Sequence, residues 1–219
     1  MTPAAAASLL LLLCLPLSRA AEPVVFCAHR GGIVEGIPEN TLAAFRAAVD
    51  HGIPVIEIDL RATRDGHIVI LHDATLDRTT NGRGPVSAMS LAEVRRLDAG
   101  HGQKVPTLEE ALNLSLETGV TLLLDIKEGP GLDKRKVVRL VEKFGLVSRV
   151  IAGPRNLADL REFKSLNPSL GKPVWTTAGD APPSELRSLV QMGVDGILAD
   201  HPALLAALRQ ELLKVAPAP

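Results

Sequence analysis

Aromatic residues are scarce in this chain. Its 219 residues include four phenylalanines, one tryptophan and no tyrosine. Proteins that bind single-stranded nucleic acid or sugars commonly stack bases or rings on aromatic side chains, so this composition argues against both kinds of surface. The core must be built from leucine, valine, isoleucine and alanine.

The chain also lacks an excess of charge of either sign. It has 24 lysines and arginines against 25 aspartates and glutamates, which gives a formal net charge of −1. Binding to nucleic acid or to an anionic membrane favours a basic surface, so no nucleic-acid partner is expected. The balance suits an enzyme that acts on a small polar substrate.

One long apolar run, Ala4–Leu17, lies near the start of the chain. It is too short to span a bilayer comfortably, and a small-x-small pattern follows it at residues 18–20, as in a signal peptide. We expect residues 1–20 to be removed on export and residues 21–219 to form one periplasmic or secreted domain without a stable membrane anchor. An uncleaved anchor is the alternative.

Cysteine is nearly absent. Of the two cysteines, Cys14 lies in the apolar run, so its removal would leave Cys27 alone. An intrachain disulfide in the mature protein is therefore excluded.

Strand and helix patterns alternate along the remaining chain, which predicts a parallel α/β sheet or barrel. The predicted strands are Val24–Ala28, Val55–Leu60, Ile68–Leu71, Leu122–Ile126, Val150–Ala152, Val174–Thr177 and Val194–Ala199. The predicted helices are Leu42–Val49, Leu91–Leu97, a helix from Thr107 to about Thr118, Asp133–Phe144, Asn156–Leu166, Ser184–Met192 and one opened by Pro202. Asn40 or Thr41 is the predicted N-cap of the first helix, and Ser90 with Glu93 and Thr107 with Glu110 are predicted capping boxes.

Two carboxylates lie on one face of the strand Val55–Leu60. Because side chains alternate along a strand, Glu57 and Asp59 point the same way and stand about 7 Å apart. Buried together they lose hydration and repel each other, which a bound metal ion or a raised pKa would offset. Ion pairs with Arg61 and Arg64 are the structural alternative.

Other ionisable residues fall at the ends of predicted strands. His29 follows the first strand, His72 follows Ile68–Leu71, and Asp125 and Lys127 come late in Leu122–Ile126. In parallel α/β folds the carboxyl ends of the strands line the ligand site.

These residue types suit phosphoryl transfer. Three carboxylates can hold Mg²⁺ or Ca²⁺, whereas zinc would prefer histidine or cysteine ligands. A pair of histidines can divide the roles of general acid and general base, while Arg30 and Lys127 stabilise negative charge on phosphate oxygens.

A series of motifs resembles, in order and spacing, the glycerophosphodiester phosphodiesterase family. The motifs are H-R-G at 29–31, P-E-N-T at 38–41, E-I-D at 57–59, D-G-H-I-V-I-L-H-D at 65–73, L-D-R-T-T at 76–80, P-T-L-E-E at 106–110, D-I-K at 125–127, V-W-T at 174–176 and G-V-D-G-I-L-A-D-H-P at 193–202.

The resemblance implies a TIM-barrel-like (β/α)₈ fold and hydrolysis of glycerophosphodiesters to glycerol 3-phosphate and an alcohol. It also assigns roles to the candidate residues. It implies a divalent cation held by Glu57, Asp59 and Asp125, and a general acid/base pair formed by His29 and His72. It further implies that Arg30 and Lys127 contact phosphate. Glu39 would support the metal or its water, and Trp175 would lie on the glycerol side.

Two features depart from the family pattern. Asp125 stands where many members have glutamate, and aspartate also appears at this position in the related sphingomyelinase D-like enzymes. Only about six strand–helix units are visible, so we expect a barrel that is shortened or incomplete between the Val150 and Val174 strands. Lysophospholipase D or sphingomyelinase D activity, or an inactive shortened binding protein, are therefore the alternatives.

Several other polar residues have simpler interpretations. His101 is expected to be a solvated loop residue, and Arg78 is expected to bridge the loop that contains it to the barrel. Asp73 orients His72, caps local backbone or takes part in the chemistry itself. Asp200 is expected to cap the helix opened by Pro202.

Overall fold

The computed structural model describes residues 25–127, 129–153, 165–166, 175–179, 182–184, 186–187 and 196–215. The predicted signal peptide lies outside the described residues, as do most of the predicted helices Asn156–Leu166 and Ser184–Met192. Among the described helices, none combines the length and the apolar character needed to cross a bilayer.

Seven strands are described, and all belong to one sheet. They are β1 (Val25–Ala28), β2 (Val55–Ala62), β3 (Ile68–Ile70), β4 (Thr121–Ile126), β5 (Val150–Gly153), β6 (Trp175–Gly179) and β7 (Gly196–Ala199). These segments are rich in β-branched and aliphatic residues, and β2 is buried along nearly its whole length, as expected for a strand covered on both faces.

The order of the strands is that of a β/α barrel. Neighbours follow the path β5-β4-β2-β1-β7-β6, and every pair along it is parallel, while β3 turns back antiparallel to β2. In the described part of the chain β5 and β6 end this path and do not pair with each other. The barrel-like α/β fold was therefore predicted correctly. Most of the residues between β5 and β6 lie outside the described ranges, so the predicted gap stays a prediction.

Five α-helices are described, and their ends follow local sequence signals. They are α1 (Leu42–Asp50), α2 (Leu91–Val94), α3 (Leu108–Thr118), α4 (Lys134–Lys143) and α5 (Pro202–Val215). The predicted capping boxes Ser90/Glu93 and Thr107/Glu110 are both present. Helix α2 ends three residues earlier than predicted, and Arg95 just beyond it extends its guanidinium to Glu110.

The two faces of the sheet differ in character. Ile56, Ile58 and Leu60 of β2 belong to the large core that includes residues of α1, α3, α4 and α5. The opposite face carries a much smaller apolar cluster of Cys27 and Val55 with Leu123 of β4. Near the carboxyl ends of β2 and β4, this face carries the polar residues Glu57, Asp59 and Asp125.

The segment between β3 and α3 has a small core of its own. Residues from Leu71 to Val105 pack against Val69 of β3 in a separate apolar cluster that includes Leu76, Val86 and Val94. We call residues 74–105 the excursion. It is therefore a packed unit, and it can hold polar side chains beside the ends of β1 and β3.

Candidate active site

Three carboxylates converge at the carboxyl ends of β2 and β4. Asp59 pairs in register with Asp125 across the two strands, and Glu57 lies two residues earlier on the same face of β2. One carboxylate oxygen of each residue lies within 4.8 Å of the others. Glu57 and Asp59 are 2% and 0% exposed, so this is a buried acidic cluster.

Main-chain and side-chain donors hold the two carboxylates of β2. The backbone N–H of Arg30 donates to Glu57 Oε2 at 3.0 Å, and Asn40 Nδ2 donates to Asp59 Oδ2 at 2.7 Å. Asn40 was one of two predicted N-caps of α1, but Thr41 takes that position. The first loop thus reaches directly into the acidic cluster.

Two cations face the cluster. Lys127 Nζ lies 2.6 Å from Asp59 Oδ1 and 2.5 Å from Asp125 Oδ2, and Arg30 Nε lies 3.4 Å from Asp59 Oδ2. Lys127 is itself 5% exposed. The structure thus places the predicted phosphate-binding lysine against two of the predicted metal ligands.

The alternative pairing with Arg61 and Arg64 is wrong. Arg61 donates from Nε and from a terminal nitrogen to the backbone carbonyl of His72, at 2.9 and 2.6 Å. Arg64 instead pairs with Glu93 on the surface at 3.0 Å. Arg61 therefore fixes the main chain of His72 rather than neutralising the carboxylates.

The cluster fits a hard divalent cation. Burial raises the pKa of Glu57 well above its usual value, and the neighbouring charges of Asp59 and Asp125 add to this effect. Three carboxylates against two cations leave one net negative charge. In addition, Asp59 Oδ1 is buried without a hydrogen bond of acceptable geometry, although Lys127 is close. The donors are all oxygens, as Mg²⁺ and Ca²⁺ require.

The loop after β1 is shaped by left-handed backbone. Arg30, Gly31 and Gly32 have φ values of 54°, 85° and 88°. A Cβ atom on Gly31 would lie 2.7 Å from the Cβ of Ala44, so only glycine allows this close packing against α1. The turn directs the Arg30 N–H at Glu57 and places His29 at the end of β1.

His29 is held by a residue from the far end of the chain. Its Nδ1 makes a short contact with Asp200 Oδ1, and the two side chains are 20% and 18% exposed. Asp200 follows β7, which pairs with β1. The interpretation of Asp200 as a helix cap missed this role, although its position at the end of a strand was a usable signal.

His72 is held by its neighbour in sequence. Its Nδ1 lies 2.7 Å from Asp73 Oδ1, and Asp73 also accepts hydrogen bonds from Arg78 Nε and from one of its terminal nitrogens, at 2.7 and 3.1 Å. Arg78 and His72 hold the pKa of Asp73 well below its usual range. Asp73 thus orients His72, which was one of its predicted roles.

Glu39 joins this network to the first loop. It accepts hydrogen bonds from Arg30 at 3.1 Å and from Arg78 at 2.7 Å, which makes Arg78 a bridge from the excursion to the barrel, as predicted. Burial raises the pKa of Glu39, but the two arginines outweigh it and bring the pKa below its usual value. In the described structure Glu39 binds arginines and is not part of the acidic triad.

Trp175 lies at the start of β6, opposite Gly196 of β7. Its backbone is described and its side chain lies outside the described part of the chain, so its predicted place on the glycerol side stays a prediction.

The chain is similar to known phosphodiesterases in sequence. Glycerophosphodiester phosphodiesterase of Caldanaerobacter subterraneus subsp. tengcongensis is 38% identical over 154 residues, which cover 65% of this chain and 63% of that protein. The chain therefore spans somewhat less than two thirds of that curated relative.

Solved structures show the same fold. The crystal structure of glycerophosphodiester phosphodiesterase from Agrobacterium tumefaciens str. C58 matches with a TM-score of 0.74 at 26% identity, covering 84% of this chain and 99% of that one. An Oleispira antarctica phosphodiesterase, solved with the product sn-glycerol-3-phosphate, matches with a TM-score of 0.66 at 24% identity. This match covers 85% of this chain and 96% of that one.

A family profile covers the part of the chain that contains the acidic triad and both histidines. Residues 29–169 match the profile described as Glycerophosphoryl diester phosphodiesterase family. This match spans more than half of the 219 residues and agrees with the fold and with the sequence relatives. The chain therefore belongs to the glycerophosphoryl diester phosphodiesterase family.

Proposed function

We propose that this protein is a divalent-cation-dependent hydrolase that cleaves glycerophosphodiesters to glycerol 3-phosphate and an alcohol. The observation that carries the proposal is the meeting of a buried carboxylate triad with two histidine–aspartate pairs at one end of the sheet. The named activity of the 38% identical relative and the product bound in the Oleispira antarctica structure support the substrate class.

Glu57, Asp59 and Asp125 are the proposed ligands of the cation, Mg²⁺ or Ca²⁺. When bound, the cation would stabilise negative charge that develops on the phosphate oxygens. Arg30 is a proposed phosphate contact because it stands between Glu39 and the triad. Lys127 is proposed for the same role, and Glu39 is proposed to support the cation site by holding Arg30 in place.

His29 and His72 are the proposed general acid and base. The Nδ1 atom of each ring is tied to a carboxylate, by Asp200 and by Asp73 respectively. This arrangement fixes the ring orientation and leaves Nε2 as the nitrogen that exchanges a proton. One imidazole would take the proton of the attacking hydroxyl, and the other would protonate the departing alkoxide.

The attacking group is proposed to be the neighbouring hydroxyl of glycerol, which gives a cyclic phosphate that water then opens. Capture of glycerol 1,2-cyclic phosphate during turnover would support this order of steps. Cleavage of a 2-deoxy substrate with direct incorporation of solvent oxygen would argue against it.

The defining experiment measures the products formed from glycerophosphocholine and lysophosphatidylcholine by the purified protein, first in EDTA and then with Mg²⁺ or Ca²⁺ restored. We expect cation-dependent release of choline and glycerol 3-phosphate from glycerophosphocholine. No turnover of either substrate by folded, cation-loaded protein would contradict the proposal and favour a binding protein. Cleavage of lysophosphatidylcholine alone would favour a phospholipase D-like enzyme.

Export is proposed from the sequence of the first 20 residues. Mass spectrometry of protein from an expressing cell should find a mature chain that begins at Ala21 in the periplasm or medium. A chain that retains the apolar run Ala4–Leu17 in the membrane fraction would favour the uncleaved anchor.

A further inference from the structure

Arg78 connects a cavity of about 540 Å³, which it lines, to the histidine–aspartate pair of His72. One wall is the segment Gly36–Glu39 that follows β1, and the other walls are two parts of the excursion, Arg78–Asn81 and Asp98–His101. None of these residues is a proposed ligand of the cation, although Glu39 is proposed to support that site. The cavity is large enough for a small organic group.

The cavity shares a wall with the proposed catalytic residues. Glu39 and Arg78 both line it, and they bond to each other at 2.7 Å. Arg78 also bonds to Asp73, which orients His72. A group in the cavity would therefore contact the arginine that holds Asp73, the partner of His72.

The excursion is built to hold His101 at this wall. Gly100, His101 and Gly102 all have left-handed backbone, with φ values of 97°, 50° and 77°. Asp98 Oδ1 fixes this turn by accepting the backbone N–H groups of both glycines, at 2.8 and 3.1 Å. Such backbone is uncommon for a histidine and is typical of positions under functional constraint.

The turn is also packed against the first loop. A Cβ atom on Gly100 would lie 2.9 Å from Cγ of Pro38, the residue before Glu39. The side chain of His101 has no hydrogen bond or ion pair with another residue in the described ranges, and it lines the cavity. The position of the ring is thus set by the backbone, and its nitrogens remain available to a ligand.

The cavity offers both hydrogen-bond donors and hydrogen-bond acceptors that are not already paired in the described structure. Asn81 Oδ1 accepts the backbone N–H of Asp98 at 2.9 Å, while Asn81 Nδ2 has no bond to another described residue. Asp98 Oδ2 likewise offers an acceptor, and the His101 ring can donate or accept. A ligand with several hydroxyl groups matches this mixture, because each hydroxyl both donates and accepts.

We infer that this cavity is the subsite for the alcohol part of the diester, that it prefers an uncharged polyhydroxylated alcohol, and that His101 is its specificity-determining residue. The inference rests on the proposed function. The assignment to the alcohol half also rests on the prediction that Trp175 lies on the glycerol side, because its strand β6 is separated from β2 by β1 and β7.

The lining of the cavity argues against two other occupants. Its described lining contains no tryptophan, tyrosine or phenylalanine, so it offers none of the usual cation–π surfaces for a trimethylammonium group such as that of choline. Its side chains are mostly polar or small, which does not favour an acyl chain. A polyol such as inositol or glycerol remains the best match.

The test compares kcat/KM for glycerophosphoinositol and glycerophosphocholine, with saturating Mg²⁺ or Ca²⁺, in the full-length protein and in the variants His101→Gly and His101→Asn. Glycine and asparagine both tolerate the left-handed backbone, so both variants should fold. His51→Ala is the matched control, since His51 caps the far end of α1.

The wild type should prefer the inositol substrate. His101→Gly should lower this preference about fivefold, as expected for the loss of one hydrogen bond, and His101→Asn should recover part of it. His51→Ala should leave the preference unchanged. A wild-type preference for the choline substrate, or an equal effect of His101→Gly on both substrates, would overturn the inference while the proposed function stands. No cleavage of either substrate by folded protein would overturn both.

Discussion

Replacement of Asp200 by asparagine tests whether catalysis by His29, which follows β1, depends on the carboxylate of Asp200, which follows β7. The substituted side chain would keep its size, and the backbone carbonyl at this position would still accept the N–H of Ile33. The variant would lose the negative charge that faces His29 Nδ1. A hydrogen bond to a charged group contributes about 1.5–3 kcal/mol, so kcat for glycerophosphocholine should fall about 10- to 150-fold.

The matched control is Asp133→Asn, the same chemical change at the N-cap of α4, where asparagine caps as well as aspartate. Both variants should retain wild-type thermal midpoints within a few degrees, because His29 and Asp200 are partly exposed. The assay is steady-state release of choline at saturating cation. Wild-type kcat in folded Asp200→Asn would refute the reasoning that Asp200 orients an acid or base.

Three further predictions concern charge and packing. Burial raises the pKa of Glu57 above its value of about 4.3 in the unfolded chain. Without a cation, the folded state therefore loses stability as the pH rises from this unfolded value through the folded pKa. At about pH 8 and without a cation, Glu57→Gln should therefore have a higher thermal midpoint than the wild type. Addition of Mg²⁺ or Ca²⁺ should raise the midpoint of the wild type and not that of the variant. A cation-dependent rise in the variant would argue against Glu57 as a ligand. The pKa of Asp73 is lowered, so its stabilising effect is present above the unfolded pKa of about 3.9 and is lost as the pH falls through the folded value. The difference in free energy of unfolding between wild type and Asp73→Asn should shrink below about pH 4 in urea titrations, and a difference independent of pH would contradict this. Gly31→Ala should cost about 3 kcal/mol of stability, because its Cβ would clash with Ala44 in left-handed backbone, whereas Gly66→Ala, with φ of 75° and open space around it, should cost about 1 kcal/mol. Equal losses in the two glycine variants would show that backbone conformation alone decides.

Features governed by near neighbours in sequence were predicted most accurately. The two capping boxes depend on residues three apart, and both formed as expected. The shared face of Glu57 and Asp59 follows from strand alternation alone, and the structure brings them together with Asp125.

Features that depend on tertiary packing were missed. The side chain of Asn40 was interpreted through its helix-capping propensity, but the fold turns it into the acidic cluster. Lys127 was expected to face phosphate; strand alternation places it on the same face as Asp125, but its contact with Asp59 of β2 depends on the tertiary fold. The cavity beside His101 needs three separate segments to meet, so the sequence suggested only a solvated loop there.

The pairing of β7 with β1 has a consequence for the order in which the protein is completed. His29 and Asp200 are 171 positions apart, so their contact cannot form until nearly the whole chain has been synthesised. The acidic triad, in contrast, lies within residues 57–125, and residues 30 and 40 of the first loop hold two of its carboxylates. The proposed cation ligands therefore come from one continuous part of the chain, whereas the first histidine is positioned by both ends of the fold.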